Sequence, residues 1–141
     1  PINLVDLNQL NEKAGDLTHS KLKGFTNFKT ASNSRTPNNN PYNIFILSGL
    51  PRIEFEAVLA HEILHVWLEL NSIQLNEKTA EGFCNLGSYL IYKNDSTRFS
   101  QIHLHAMEKD PDTIYGSGFR DMKSVLLEIG WGKLLIKMRT L

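Results

Sequence analysis

The chain has 141 residues, which fits one domain and allows a real hydrophobic core. Lysine plus arginine and aspartate plus glutamate number 15 each, so the formal net charge is zero, which argues against a surface that binds nucleic acid. One cysteine excludes an internal disulfide, and the lack of a signal-peptide pattern or of an apolar run near the roughly 18 residues of a membrane span favours a cytoplasmic protein.

The N-terminal third of the chain predicts strands, one short helix and a loop. A helix over 6–15 begins at Asp6, whose side chain can cap it, and ends at Gly15. Serine, asparagine and proline dominate residues 32–42 without any periodicity, which predicts a mobile loop. Apolar, aromatic and β-branched runs predict strands over 1–5, 25–32 and 42–49.

Helices are predicted for the rest of the chain. Pro51 suits the first turn of one helix, Asn76 can cap a second, and Asp95 or Ser96 can cap a third. Strands first and helices after predict the α+β class, with residues 1–141 forming one domain. Because the chain does not begin with methionine, we expect this domain to be cut from a longer protein. The predicted helices cover about 51–70, 76–93, 96–110 and 116–130, and a basic amphipathic tail covers 131–141.

The helix that contains "VLAHEILHVWLEL" carries a polar strip on an otherwise apolar surface. At 100° per residue, apolar side chains of residues 53–70 cover roughly 220° of the circumference, and the remaining arc holds His61, Glu62 and His65. Residues at i and i+4 are neighbours, so both imidazoles can reach one zinc ion. Glu62 lies at the edge of the strip, where it can take a proton from a zinc-bound water without binding the metal. Two satisfied core histidines are the plain alternative, and the complete His-Glu-x-x-His pattern favours the zinc site.

A catalytic zinc keeps three protein ligands and one open position, so a third ligand is needed. Glu69 lies about 12 Å from His61 along the helix axis, which is too far. Glu77 suits the start of the next helix, where a carboxylate complements the helix dipole. Glu81 sits among small residues that let helices pack closely, and Asn85, one turn on, can hold the second ring nitrogen of a ligand histidine. A half-buried glutamate in an ion pair is the alternative for Glu81. The candidates for the third ligand are Glu69, Glu77, Glu81, His103 and His105, and Glu81 is preferred.

Several motifs carry a resemblance to a known family. "HEILH" followed by a glutamate on the next helix resembles the gluzincin metallopeptidases, which usually have an acidic residue four positions after that glutamate, where this chain has Asn85. A more specific resemblance, over nearly the whole chain, is to the peptidase domain of the DA-one family of LIM-domain-associated, ubiquitin-activated zinc peptidases. The motifs that carry it are "PINLVDLNQLNEKAG", "ILSGLPR", "LAHEILHVWLEL", "AEGFCN" and "YGSGFR".

The resemblance implies a zincin-like fold in which a small N-terminal sheet precedes an active-site helix and a mainly helical remainder. It implies one zinc ion bound by His61, His65 and Glu81, with Glu62 as the base of an endopeptidase that cleaves protein substrates. A link to ubiquitin is implied by the family resemblance alone. A LIM module needs several cysteines, and this chain has one. The alternative function is a zinc-bound, catalytically weak protein-binding module.

Two further parts of the mechanism have candidates in the sequence. The oxyanion needs a hydrogen-bond donor, for which Tyr115 and His105 are candidates. An extended substrate can pair with the edge of a strand, and the strand over 42–49 or the strand over 25–32 is predicted to offer that edge. Neither nucleic acid nor membrane is an expected partner. A structural zinc site usually has four ligands, often cysteines, so the single Cys84 disfavours it.

Overall fold

In the described part of the chain, three short strands and one helix occupy the N-terminal region, and five helices follow. The structure is a computed structural model that describes residues 1–15, 22–28 and 41–141. It confirms the predicted α+β class. No helix in these ranges is both long and apolar enough to cross a membrane. The elements are β1 (Ile2–Val5), α1 (Leu7–Ala14), β2 (Gly24–Phe28), β3 (Tyr42–Leu47), α2 (Arg52–Leu70), α3 (Glu77–Lys93), α4 (Arg98–Lys109), α5 (Tyr115–Ile129) and α6 (Trp131–Arg139).

The three strands form one sheet in the order β1-β3-β2. β3 runs parallel to β1 and antiparallel to β2, and Ile44 and Ile46 on this middle strand are buried against α2. The prediction that the strand over 42–49 offers an edge is therefore wrong, because neighbours pair with both of its sides. Among the described strands, β1 and β2 are the edge strands, each with one unpaired side. The predicted extension of β2 past Phe28 and most of the predicted loop over 32–42 lie outside the described residues.

Side chains that accept backbone hydrogen bonds cap the starts of α1, α3 and α4. The Asp6 side chain accepts a hydrogen bond at the start of α1, and the Asn76 side chain does so at the start of α3, as predicted. The predicted cap of α4 at Asp95 or Ser96 is wrong, since the helix begins later and Thr97 caps it. Asp95 lies just outside the helix, where its carboxylate accepts a hydrogen bond from the Thr97 hydroxyl.

α2 packs between the sheet and the helical core of the protein. One side of the helix places Val66 against Ile44 and Ile46 of the sheet. Another side places Leu64 and Leu68 in the larger core, which α3, α5 and α6 complete. Because both faces are buried, the remaining side chains of α2 are held in fixed directions.

Glycines allow α3 to approach its neighbours closely. A Cβ atom at Gly82 would lie 2.2 Å from the carbonyl oxygen of Gly118 on α5, and a Cβ at Gly87 would lie 2.8 Å from the carbonyl oxygen of Ala60 on α2. Real Cβ atoms do not come so near to backbone oxygens, so any larger residue would push the helices apart. The "YGSGFR" segment thus has a packing role, and the close contact of α3 with α2 brings the side chains of the two helices together.

Candidate metal centre

His61 and His65 on α2 and Glu81 on α3 converge on one point. The two histidine Nε2 atoms lie 3.1 Å apart, and the Glu81 oxygens lie 3.3 Å from the His61 Nε2 and 3.5 Å from the His65 Nε2. Around a tetrahedral zinc with bonds of about 2.0–2.1 Å, two ligand atoms lie roughly 3.3 Å apart. The facing atoms of the three side chains, which include both oxygens of Glu81, lie near this spacing, and one ligand atom from each residue lies within 4.8 Å of the others.

The three side chains are partly buried but still reachable. The exposed side-chain fraction is 16% for His61 and Glu81 and 24% for His65. A site of this kind can hold an ion between two helices and still admit a small molecule or a peptide. Within residues 1–15, 22–28 and 41–141, these three residues form the cluster of histidine, cysteine and acidic side chains that could hold a metal ion.

The charges of the cluster favour an ionised glutamate beside imidazole rings. Burial opposes the ionisation of Glu81, but hydrogen bonds to His61 and His65 outweigh it and lower the pKa of Glu81 to about 2. Burial lowers the pKa of His61, whereas the Glu81 hydrogen bond and the charges of Glu62 and Glu81 raise it, and the net effect is a raised pKa. An ionised carboxylate beside two imidazole rings gives the site a negative charge that suits a cation.

Asn85 sets the orientation of His61. The Nδ1 atom of this ring lies 2.9 Å from the Asn85 Oδ1. An amide oxygen only accepts hydrogen bonds, so the ring donates from Nδ1 and its neutral form carries no proton on Nε2. The lone pair of Nε2 then points into the cluster, as metal binding needs. Asn85, at the position where gluzincins usually have an acid, therefore contacts a ring nitrogen of a candidate ligand histidine, as predicted.

Glu62 follows His61 on α2 and is close enough for its charge to raise the pKa of that histidine. It is only 5% exposed, and the Thr26 hydroxyl on β2 donates a 2.6 Å hydrogen bond to its Oε2. Glu62 is not one of the three clustered groups, in agreement with a role other than metal ligand. Sequence reasoning missed Thr26, because nothing in the local pattern tells which helix residue β2 will contact.

The other candidate ligands lie elsewhere. Glu69 is exposed on α2, and Glu77 is exposed in the first turn of α3, where its charge complements the helix dipole. His103 faces a different acid, with its Nε2 atom 3.7 Å from the Glu54 Oε1. His105 is exposed on α4. None of these four is in the metal-type cluster of the described residues.

Two groups near the cluster keep their protons at neutral pH. Burial and the negative charges of Glu81 and other acids, Glu62 among them, raise the pKa of Tyr115 at the start of α5 to about 12. Burial and the same two charges raise the pKa of the Cys84 thiol well above its ordinary value. Tyr115 is therefore a hydrogen-bond donor close to the acidic groups, and Cys84 is a buried, unreactive thiol.

Comparison with known proteins agrees with the motifs. The model of the DA1-like family, described as Protein DA1, matches residues 12–104, which is more than half of the chain and includes the whole cluster and Glu62. The chain belongs to the DA1-like family. The resemblance to the DA-one family noted in the sequence is thereby confirmed.

Members of the DA1-like family from Arabidopsis thaliana are among the similar proteins. Protein DA1-related 2 is 48% identical over 48 residues, which cover 33% of the chain and 9% of that protein. Protein DA1-related 1 is 28% identical over 128 residues, covering 68% of the chain and 23% of that protein. Protein DA1 is 28% identical over 121 residues, covering 65% and 23%. The chain thus spans less than a quarter of the length of these curated relatives, and no solved structure matches it.

Proposed function

We propose that the chain is a zinc-dependent endopeptidase that hydrolyses peptide bonds in protein substrates. His61, His65 and Glu81 are the proposed zinc ligands, and Glu62 is the proposed general base. The observation that carries the proposal is the set of separations of 3.1–3.5 Å among the two histidine Nε2 atoms and the two carboxylate oxygens of Glu81, with Glu62 next to His61 on α2.

The donor set suits zinc in a catalytic setting. Two imidazole nitrogens and one carboxylate oxygen are ligands that zinc accepts, and three protein ligands leave a fourth position for water or substrate. A zinc ion held there would supply a Lewis acid and a water molecule of lowered pKa. A structural site would need a fourth ligand, and Cys84, although near in sequence, is buried in the hydrophobic core.

Particular residues of the chain are proposed for proton transfer, oxyanion stabilisation and substrate binding. Glu62 accepts a proton from the attacking water and delivers it to the leaving amine. Tyr115 is the proposed hydrogen-bond donor to the oxyanion, because burial and the charges of Glu81 and Glu62 keep its hydroxyl protonated, whereas His105 is exposed on α4. The side of β2 that pairs with no described strand is the proposed place where an extended substrate pairs, since β2 contacts Glu62 through Thr26.

The proposed function is tested by metal analysis together with hydrolysis of an unfolded protein. We expect the purified chain to hold about one zinc ion, to cleave the unfolded protein, and to lose this activity on treatment with a chelator. Added zinc should restore the activity. A chain that takes up no zinc would refute the proposal. A chain that binds zinc but does not cleave would instead favour the protein-binding module.

Replacement of Tyr115 by phenylalanine tests the oxyanion donor. We expect kcat to fall by about 100-fold, the range for loss of one such donor, with zinc content unchanged. The matched control is His105→Ala, which should keep the wild-type kcat. If His105→Ala loses activity and Tyr115→Phe retains it, the roles are reversed and His105 is the donor.

A further inference from the structure

The strand β2 lies against the face of α2 that carries Glu54, Val58 and Glu62. These three residues are four positions apart and so point to one side of the helix. Gly24 on β2 is buried against this face, and Lys23 forms an ion pair with Glu54. β2 is therefore fixed to α2 at one end by an ion pair, independently of any contact with Glu62.

The carboxylate of Glu62 is held between two residues of β2. Thr26 donates a 2.6 Å hydrogen bond to Oε2. On the other side, a Cβ atom at Gly24 would lie 2.8 Å from Oε1 and 2.6 Å from the Val58 Cγ1, so only glycine leaves room for this oxygen. Gly24 and Thr26 are two positions apart on one strand, so they face the same side and form a cradle for the carboxylate.

A buried carboxylate is costly unless hydrogen bonds compensate for the lost water. Glu62 is 5% exposed, and the Thr26 hydroxyl provides such a bond from a rigid strand. A glutamate side chain has three rotatable bonds, and a donor fixed in a strand removes most of its freedom. The geometry points to Thr26 as a positioning residue that holds the proposed general base in one orientation. This inference rests on the proposed function, in which Glu62 moves the proton.

Two substitutions at position 26 separate the hydroxyl from the rest of the side chain. Thr26→Val keeps the shape and removes the donor, and Thr26→Ser keeps the donor. For the valine variant we expect kcat to fall by roughly 10- to 100-fold, the cost of a slightly misplaced catalytic group, with KM and zinc content unchanged. The serine variant should stay within about threefold of the wild type. Because Lys23 still pairs with Glu54, β2 should remain in place in both variants.

A second measurement does not depend on activity. Thermal unfolding of the zinc-loaded chain is followed for Thr26→Val in the wild-type background and in the Glu62→Ala background. In the wild-type background we expect Thr26→Val to lower Tm by roughly 4 °C or more, which is the size expected for loss of a hydrogen bond to a charged group. In the Glu62→Ala background the hydroxyl has lost its acceptor, so the same change should move Tm by less than about 1 °C.

The outcomes separate this inference from the proposed function. Equal Tm shifts in the two backgrounds, or a serine variant as impaired as the valine variant, would overturn the role of Thr26. A wild-type chain without zinc-dependent hydrolysis would refute the proposed function, and the Tm comparison would still decide whether Thr26 holds Glu62. If Thr26→Val keeps the wild-type kcat in an active chain, the proposed peptidase function is retained and the positioning role of Thr26 is rejected.

Discussion

Replacement of Glu62 by glutamine is expected to lower kcat for peptide hydrolysis by roughly two to four orders of magnitude, the range for general-base catalysis. Glutamine keeps the size of the side chain and can still accept the hydrogen bond from Thr26, so the fold and the position of the group should be retained. What is lost is the basic oxygen that takes the proton from water. Zinc content should remain at the wild-type value, because Glu62 is not one of the clustered side chains.

The matched control for this experiment is Glu69→Gln. Glu69 lies on the same helix, and it is exposed and outside the cluster, so the same loss of charge there should leave kcat unchanged. Hydrolysis rates and zinc content of both variants are measured at low and raised zinc. A Glu62→Gln chain that stays fully active would show that the chemistry does not run through "HEILH". Loss of zinc from that variant would mean that Glu62 supports the metal and is not merely its neighbour.

The part of the site that lies on α2 could be predicted because its geometry is local. The helix repeat alone places His61 and His65 on one face, and the apolar residues around them show that the helix is buried. The predicted end at Leu70 agrees with the structure for the same reason. Capping follows local rules too, which explains the agreement at Asp6 and Asn76.

The parts that could not be predicted depend on contacts between distant segments. Asp95, Ser96 and Thr97 are all good capping residues, so the local pattern does not single out Thr97, which caps the helix. The central place of β3 in the sheet depends on pairing with two strands, which a single strand's pattern does not contain. The contact from Thr26 to Glu62 spans 36 positions and follows from the way β2 packs on α2. Small residues around Glu81 did indicate close packing, which explains why this distant ligand candidate was still found.

Loss of Glu81 is expected to lower the affinity for zinc, whereas loss of Glu62 is expected to impair proton transfer. Glu81→Ala leaves only His61 and His65 near the ion. Zinc affinity should therefore fall by more than the 10- to 100-fold that loss of an outer hydrogen-bond partner costs. Activity at low zinc should disappear with the metal. Part of it should return as zinc is raised, while Glu62→Gln should gain nothing.

The fall in affinity also has a readout in stability. A ligand that binds only the folded chain stabilises it by about 2.7 kcal/mol when its free concentration is 100 times its dissociation constant. Zinc should thus raise the Tm of the wild-type chain at concentrations that leave the Glu81→Ala chain unchanged. The matched control is Glu77→Ala, an exposed acid in the first turn of the same helix, which should keep the zinc response. If Glu81→Ala keeps full zinc binding and activity while Glu77→Ala loses them, the third ligand is Glu77. The close packing of α3 on α2 would then contribute to the stability of the fold and not to metal binding.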